Sequence, residues 1–196
     1  MLKKLRARVL GVVLAFSALV TVGVAAPATA STSQSASSLA VSPAQPETYT
    51  IDVAGVRFTG TSAREIWGAC GTNSPADKLV RAFPRSGAPG AGGTSNLLCG
   101  SAGFGYRHIK DRHMTDWQNL AARVGSDWRS FTDFAIAEIL KVPEPGFPAY
   151  NKNNDTWTYR APVQIRDSHG NIVDTYRPIV SVASRDQKII TAFPAR

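Results

Sequence analysis

The run Gly103-Phe104-Gly105-Tyr106-Arg107-His108-Ile109-Lys110-Asp111-Arg112-His113 holds two of the chain's three histidines, with two arginines and a lysine among them. Imidazole and imidazolium coexist near neutral pH, so a histidine pair can supply a base and an acid together. Cations beside such a pair suit an anionic substrate. His108 and His113 lie five residues apart, about 140° of rotation on a helix, so they are not expected to share one face. That spacing disfavours a metal pair, which HExxH proteins build from i, i+4 histidines. No third ligand stands near, and no metal or cofactor is expected. The arrangement that fits puts His108 in a loop or first turn and His113 within a helix. Ile109, Asp116 and Trp117 are then the i−4, i+3 and i+4 neighbours of His113. The competing reading is a solvated basic helix face with one hydrogen-bonded core histidine. His169, beside Gly170, reads as a turn residue.

Further polar candidates stand near the C terminus. Arg160 and Arg166 lie on the polar side of an alternating run, and Arg185 and Lys188 flank a tight turn. Thr191 sits between Ile190 and Ala192. Residues 189, 191 and 193 share one face of a strand there, and 188, 190 and 192 the other. Thr191 alone reads equally as a good strand former.

The elements that must position these residues follow from pattern and punctuation. Ser62-Ala63-Arg64-Glu65 fits a capping box opening a short helix through Trp67. Ser74-Pro75-Ala76-Asp77 predicts another helix, running to about Phe83 before Pro84. Ser86–Ser95 is a Gly-rich loop without the Lys-Ser/Thr ending of a phosphate-binding loop. Residues 109–124 have helical spacing, and Trp128, Phe131, Ala135 and Ile139 mark a further helix ending before Pro143. Trp157 to Arg166 alternates as one strand, with Pro162 suggesting an edge or bulge. Asp167–Asn171 is a turn, Ile172–Tyr176 and Ile179–Ala183 are strands broken near Pro178, and Lys188–Phe193 is the last strand. Helices first and strands last predict an α+β domain, with N-terminal helices packed on a C-terminal antiparallel meander.

Lys3, Lys4, Arg6 and Arg8 precede an apolar run from Val9 to about Ala26, and Ala28-Thr29-Ala30 supplies small residues for cleavage. Residues 1–30 read as a Sec-type signal peptide cut after Ala30, with an uncleaved anchor as the alternative. The protein is therefore expected outside the cell, without stable membrane association after cleavage. Residues 31–50, rich in Ser, Ala and Pro, read as a flexible leader, and 51–196 as a single domain. The chain carries 22 basic and 14 acidic residues, a net charge of +8. Removing the four basic residues of the signal leaves 18 against 14, or +4, which permits phosphate binding without demanding it. The two cysteines, Cys70 and Cys99, are expected to form one disulfide in an exported chain. Closing that loop is worth about 3 kcal/mol in the chain-entropy model.

The segment from Gly105 to His113 at a helix start, followed by terminal strands closing with Lys188-Ile189-Ile190-Thr191-Ala192-Phe193-Pro194, resembles the barnase–EndoU–colicin–RelE class of small ribonuclease toxins. The resemblance covers about Gly103 to Pro194 and leaves residues 51–102 unexplained. It implies metal-independent RNA cleavage, in which the ribose 2′-OH attacks the neighbouring phosphorus. His108 and His113 would exchange the protons, either of them serving as base. Lys110 and Arg185 would stabilise phosphoryl charge, and Thr191 would hydrogen-bond a phosphate. Arg107, Arg112 and Lys188 would bind the RNA backbone, and Tyr106 would stack a base. The class departs here in one respect, since no Glu stands where a barnase-like base would be.

Two functions of different class are consistent with these residues. The first is an exported endoribonuclease, toxin-like or scavenging, with RNA as substrate and an immunity protein as possible partner. The second is a non-catalytic exported domain that binds a cell-wall polymer or a protein. A Ser hydrolase is disfavoured, because the chain has no GxSxG elbow. Nothing in the sequence predicts a coiled coil, and a monomer is expected.

Overall fold

Ala54 and Gly55 both take positive φ (49° and 83°), the conformation of a two-residue hairpin turn. They return β1 (Thr50–Val53) onto β2 (Val56–Arg57). The computed structural model describes residues 48–60, 70–87 and 93–196. The expected signal peptide, most of the expected leader and the expected helix at 62–67 lie outside them, as do residues 88–92 of the Gly-rich loop. Thr50, the last residue of the expected leader, already pairs with Arg166.

The second hairpin replaces a predicted helix. Residues 74–78 form only turns, with Lys78 N–H donating to the Pro75 carbonyl at 3.2 Å. The chain then extends as β3 (Leu79–Arg85), which pairs antiparallel with β4 (Gly93–Leu98). Ser74 and Pro75 are good helix starters, but the residues after them are drawn into tertiary contacts. Val80, Phe83 and Arg85 are buried, and Arg81 forms an ion pair with the buried Asp133. Pro84 is compatible because each strand of a two-stranded hairpin is an edge strand. The Gly-rich loop is correspondingly shorter than the sequence suggests, since Gly93, Thr94 and Ser95 belong to β4.

Two helices come next, α1 (Gly105–Ala122) and α2 (Trp128–Lys141). The strands after them are β5 (Ala149–Asn151), β6 (Thr156–Arg160), β7 (Val163–Arg166), β8 (Ile172–Tyr176), β9 (Ile179–Ala183) and β10 (Ile189–Phe193). The α+β class holds, but the helices lie between strands, because four strands precede them. Nor do the later strands form one meander. They divide between two antiparallel sheets, ordered β2-β1-β7-β8 and β10-β9-β6-β5. The chain crosses between sheets at Ala161-Pro162 and again at Arg177-Pro178. A proline has no N–H for a ladder, so each marks a point where pairing stops. The alternating run 157–166 is therefore two strands in different sheets.

The core gathers where α2 lies against β1, β3, β6 and β9. Phe131 is fully buried, with its ring edge-on to Phe58 at 5.2 Å and to Trp117 at 5.9 Å. Cys70 and Cys99 form the disulfide, which ties the segment before β3 to the end of β4. Among the described residues no helix is long and apolar enough to cross a membrane.

Candidate functional site

The turn entering α1 is built from backbone held at close quarters. Gly100 and Gly105 have φ of +68° and +76°. A Cβ on Gly100 would stand 1.9 Å from the Phe104 carbonyl oxygen, and one on Gly105 2.6 Å from that of Leu98, so neither position admits a side chain. Ser101 N–H donates to the Phe104 carbonyl at 2.9 Å, closing the turn. Phe104 is the N-cap residue and offers no side-chain cap. One of the helix's orphan amides, Arg107 N–H, is satisfied by the Cys99 carbonyl at 3.0 Å.

His108 sits in the first turn with Nδ1 2.7 Å from the Ala102 carbonyl. A carbonyl only accepts, so Nδ1 carries the proton and the neutral ring keeps its lone pair on Nε2. His113 is on the next turns of α1, and the rings of the two histidines meet edge-on, with centroids 5.6 Å apart. The separation expected from their spacing is thus corrected. Helical side chains lean toward the N terminus, so His113 reaches back along the helix, while the Ala102 carbonyl fixes the His108 ring.

The His113 ring also stacks on Phe193 of β10, at 5.0 Å and 25°. Its Nδ1 faces the Asp116 carboxylate at 3.7 Å. The side chain is 22% exposed. Burial first, then the neighbouring His108, lowers the His113 pKa below the ordinary 6.5, with Arg112 adding to the effect; Asp116 opposes but does not cancel it. His113 is therefore held toward the neutral form.

Strand β10 lies against α1. Trp117 Nε1–H donates to the Ala192 carbonyl at 3.0 Å across that contact. Thr191 shares the face of Phe193, and its hydroxyl is buried with no hydrogen bond in the structure. Lys188 Nζ lies 4.8 Å over the Phe104 ring and 2.8 Å from Asp186 Oδ2. Phe193, Phe104 and the Ala102 carbonyl are the contributors that residue types did not single out. The two aromatics stand inside the noted segments, whereas a main-chain oxygen leaves no mark in a sequence.

The other candidates divide. Lys110 and Arg112 are exposed on α1 near His113. Arg185 is 90% exposed in the turn before β10, bound to Asp155 Oδ2 at 2.9 Å. With Lys188 and Asp186 it lines a shallow cavity of about 380 Å³. Tyr106 is 3% exposed and stacks on Trp128 at 6.0 Å. Arg107 turns its guanidinium onto the backbone carbonyls of Gly71, Ser74 and Gly100. Arg160 pairs with Glu144, and Arg166 with the buried Asp52. His169 is exposed in the turn between β7 and β8. Among the described residues no group of three or more His, Cys, Asp or Glu could hold a metal ion.

No family model matches this chain, and no solved structure matches it. Two curated relatives do: uncharacterized protein MT0764 of Mycobacterium tuberculosis (strain CDC 1551 / Oshkosh) and uncharacterized protein Rv0739 of Mycobacterium tuberculosis (strain ATCC 25618 / H37Rv). Each is 37% identical over 139 residues, covering 66% of this chain and 50% of the relative. The chain thus spans about half the length of the curated relatives it matches.

Proposed function

We propose that this chain is an exported, metal-independent endoribonuclease in which His113 and His108 divide the acid and base work at one phosphodiester. The observation that carries the reading is the contact of two imidazoles whose Nδ1 atoms are both turned to protein oxygens. That leaves each Nε2 for substrate. His113, held toward neutrality, takes the proton of the ribose 2′-OH as its oxygen bonds to phosphorus. The bond to the 5′-oxygen breaks, and protonated His108 gives that oxygen its proton from Nε2. The products are a 2′,3′-cyclic phosphate and a free 5′-hydroxyl. Lys110, Arg112 and Lys188 supply positive charge to the phosphoryl oxygens, whereas the Thr191 hydroxyl is buried and makes no direct contact with them. Arg185, exposed and lining the same shallow cavity as Lys188, would take a neighbouring phosphate. Tyr106, covered by Trp128, enters no step.

Mature protein incubated with total RNA in EDTA should yield fragments ending in 2′,3′-cyclic phosphate. His113→Ala should remove about 10²- to 10⁴-fold of the rate, the usual share of one acid–base group, while leaving the circular dichroism spectrum unchanged. Because the base must be neutral and its pKa is lowered, the acidic limb of the rate profile should fall below pH 6.5. Intact RNA at high protein concentration would end this reading.

A further inference from the structure

Arg107 stands in the run of cations, yet its side chain works inside the fold. Nη1 donates to the Gly100 carbonyl at 2.7 Å, and Nη2 to the carbonyls of Ser74 at 2.6 Å and Gly71 at 3.0 Å. One planar guanidinium thus joins two stretches of backbone that are distant in sequence. A planar fork can do this where a lysine ammonium reaches only part of the set. The same two stretches are joined by the Cys70–Cys99 disulfide. They are joined again by hydrogen bonds from Cys99 N–H to the Lys78 carbonyl and from Gly100 N–H to the Ala76 carbonyl, both 2.8 Å.

The turn that holds His108 comes directly after these anchors in the chain. Gly100 packs against the Phe104 carbonyl and Gly105 against that of Leu98, so the path from 98 to 105 has no slack. Ala102 lies at its crest, and its carbonyl fixes the His108 tautomer. Loosening residues 99–100 therefore moves the oxygen that orients the ring. Cys99 and Tyr106, on either side of this turn, are buried in the same core as the α2 residues, so the turn is held from the core at both ends.

We propose that Arg107 is a positioning residue for His108, acting with the disulfide-tethered segment 70–78, so that catalytic competence requires the oxidised Cys70–Cys99 pair. This rests on the ribonuclease reading for its activity arm, and its structural arm stands independently. Reduction by dithiothreitol passes two electrons and two protons to the protein. It leaves thiols at Cys70 and Cys99 and a disulfide in the reagent.

The test uses the full mature chain and two readouts. The first is the side-chain nitrogen NMR spectrum of the histidines. In the oxidised wild type at a pH where the rings are neutral, His108 should show the Nδ1–H tautomer. Arg107→Ala, and reduction of the wild type, should each make His108 average both tautomers while the His113 signals keep their places. The second is cleavage of RNA. The same two changes should lower kcat about 10- to 100-fold with KM altered less than about twofold, as expected for a misplaced group rather than a lost substrate contact. Arg107→Lys should recover part of the loss, and it decides by the same spectrum if Arg107→Ala does not fold. The proposal is overturned if the His108 tautomer survives these changes. It is overturned equally if His113 loses its signals together with His108, which would make the disulfide a support of the whole fold. A rise in KM alone would make Arg107 a substrate ligand and overturn it too. Tautomer averaging in a protein that never cleaves RNA would uphold the positioning and remove the ribonuclease.

Discussion

The two helices solve opposite problems with adjacent stretches of chain. α2 opens on an N-cap, Asp127, whose carboxylate accepts from the amides of Arg129 and Ser130 at 3.0 and 3.1 Å. It then buries residues through most of its length, from Trp128 to Leu140. α1 opens on Phe104 without a side-chain cap, and has no acid in its first turn and no base in its last. It buries Gly105, Tyr106 and Ile109 at one end and Trp117, Leu120 and Ala121 at the other. Between them, residues 110–116 contain no buried side chain, and this is where Lys110, Arg112 and His113 stand. Burial is denser in the helix that carries no candidate chemistry. The helix that carries it is held at its ends and leaves its middle open to a ligand.

The largest effect should come from the core of α2. Phe131→Ala removes a fully buried ring packed on Phe58 and Trp117 and should cost about 3–5 kcal/mol in urea denaturation. His113→Ala, partly exposed on the middle of α1, should cost less than about 1 kcal/mol in the same measurement. The contrast between the helices breaks if the two losses are alike.

A smaller effect should come from the cap. Asp127→Ala should destabilise by about 1 kcal/mol. Burial would raise the Asp127 pKa, but hydrogen bonds from the Ser130 hydroxyl and from the amides of Ser130 and Arg129 outweigh it, and the net shift is below the ordinary 3.8. A carboxyl whose folded pKa is depressed stabilises above its unfolded pKa and loses that contribution as pH falls through the folded value. The difference between wild type and Asp127→Ala should therefore be steady near neutrality and shrink below about pH 4. Asp127→Asn, which caps without titrating, should keep its contribution there.

Legibility in the sequence divides along the same line. Helical spacing and the Pro143 boundary located both helices, and strand-like runs located β8, β9 and β10 nearly to the residue, because those signals are local. The Ser74-Pro75 start misled because a helix there would forfeit the burial of Val80 and Phe83 and the pairing of Arg81 with Asp133. Pro162 marked an interruption, but no local pattern says that the chain then joins another sheet. At the candidate site, residue types singled out the two histidines whose rings meet. They could not find the Ala102 carbonyl, nor that Arg107 points inward, since both depend on how residues 70–78 pack on residues 98–107.

The smallest effects should come from the open middle of α1, and they sharpen the contrast most. Lys110 and Arg112 are exposed, and replacing either with Ala should change stability by less than about 0.5 kcal/mol. If this face neutralises phosphates, each replacement should weaken RNA binding across sequences and reduce the slope of log affinity against log salt by about 1. The measurement is filter binding of a His113→Ala protein, which should hold RNA without cleaving it, over a series of salt concentrations. Arg112→Ala should also let the His113 pKa rise a little toward 6.5, because a neighbouring cation that disfavours imidazolium has gone. In a cleaving protein the acidic limb of the rate profile would move up with it. A salt slope unchanged in both variants would place the RNA backbone elsewhere and leave the open face of α1 without its partner.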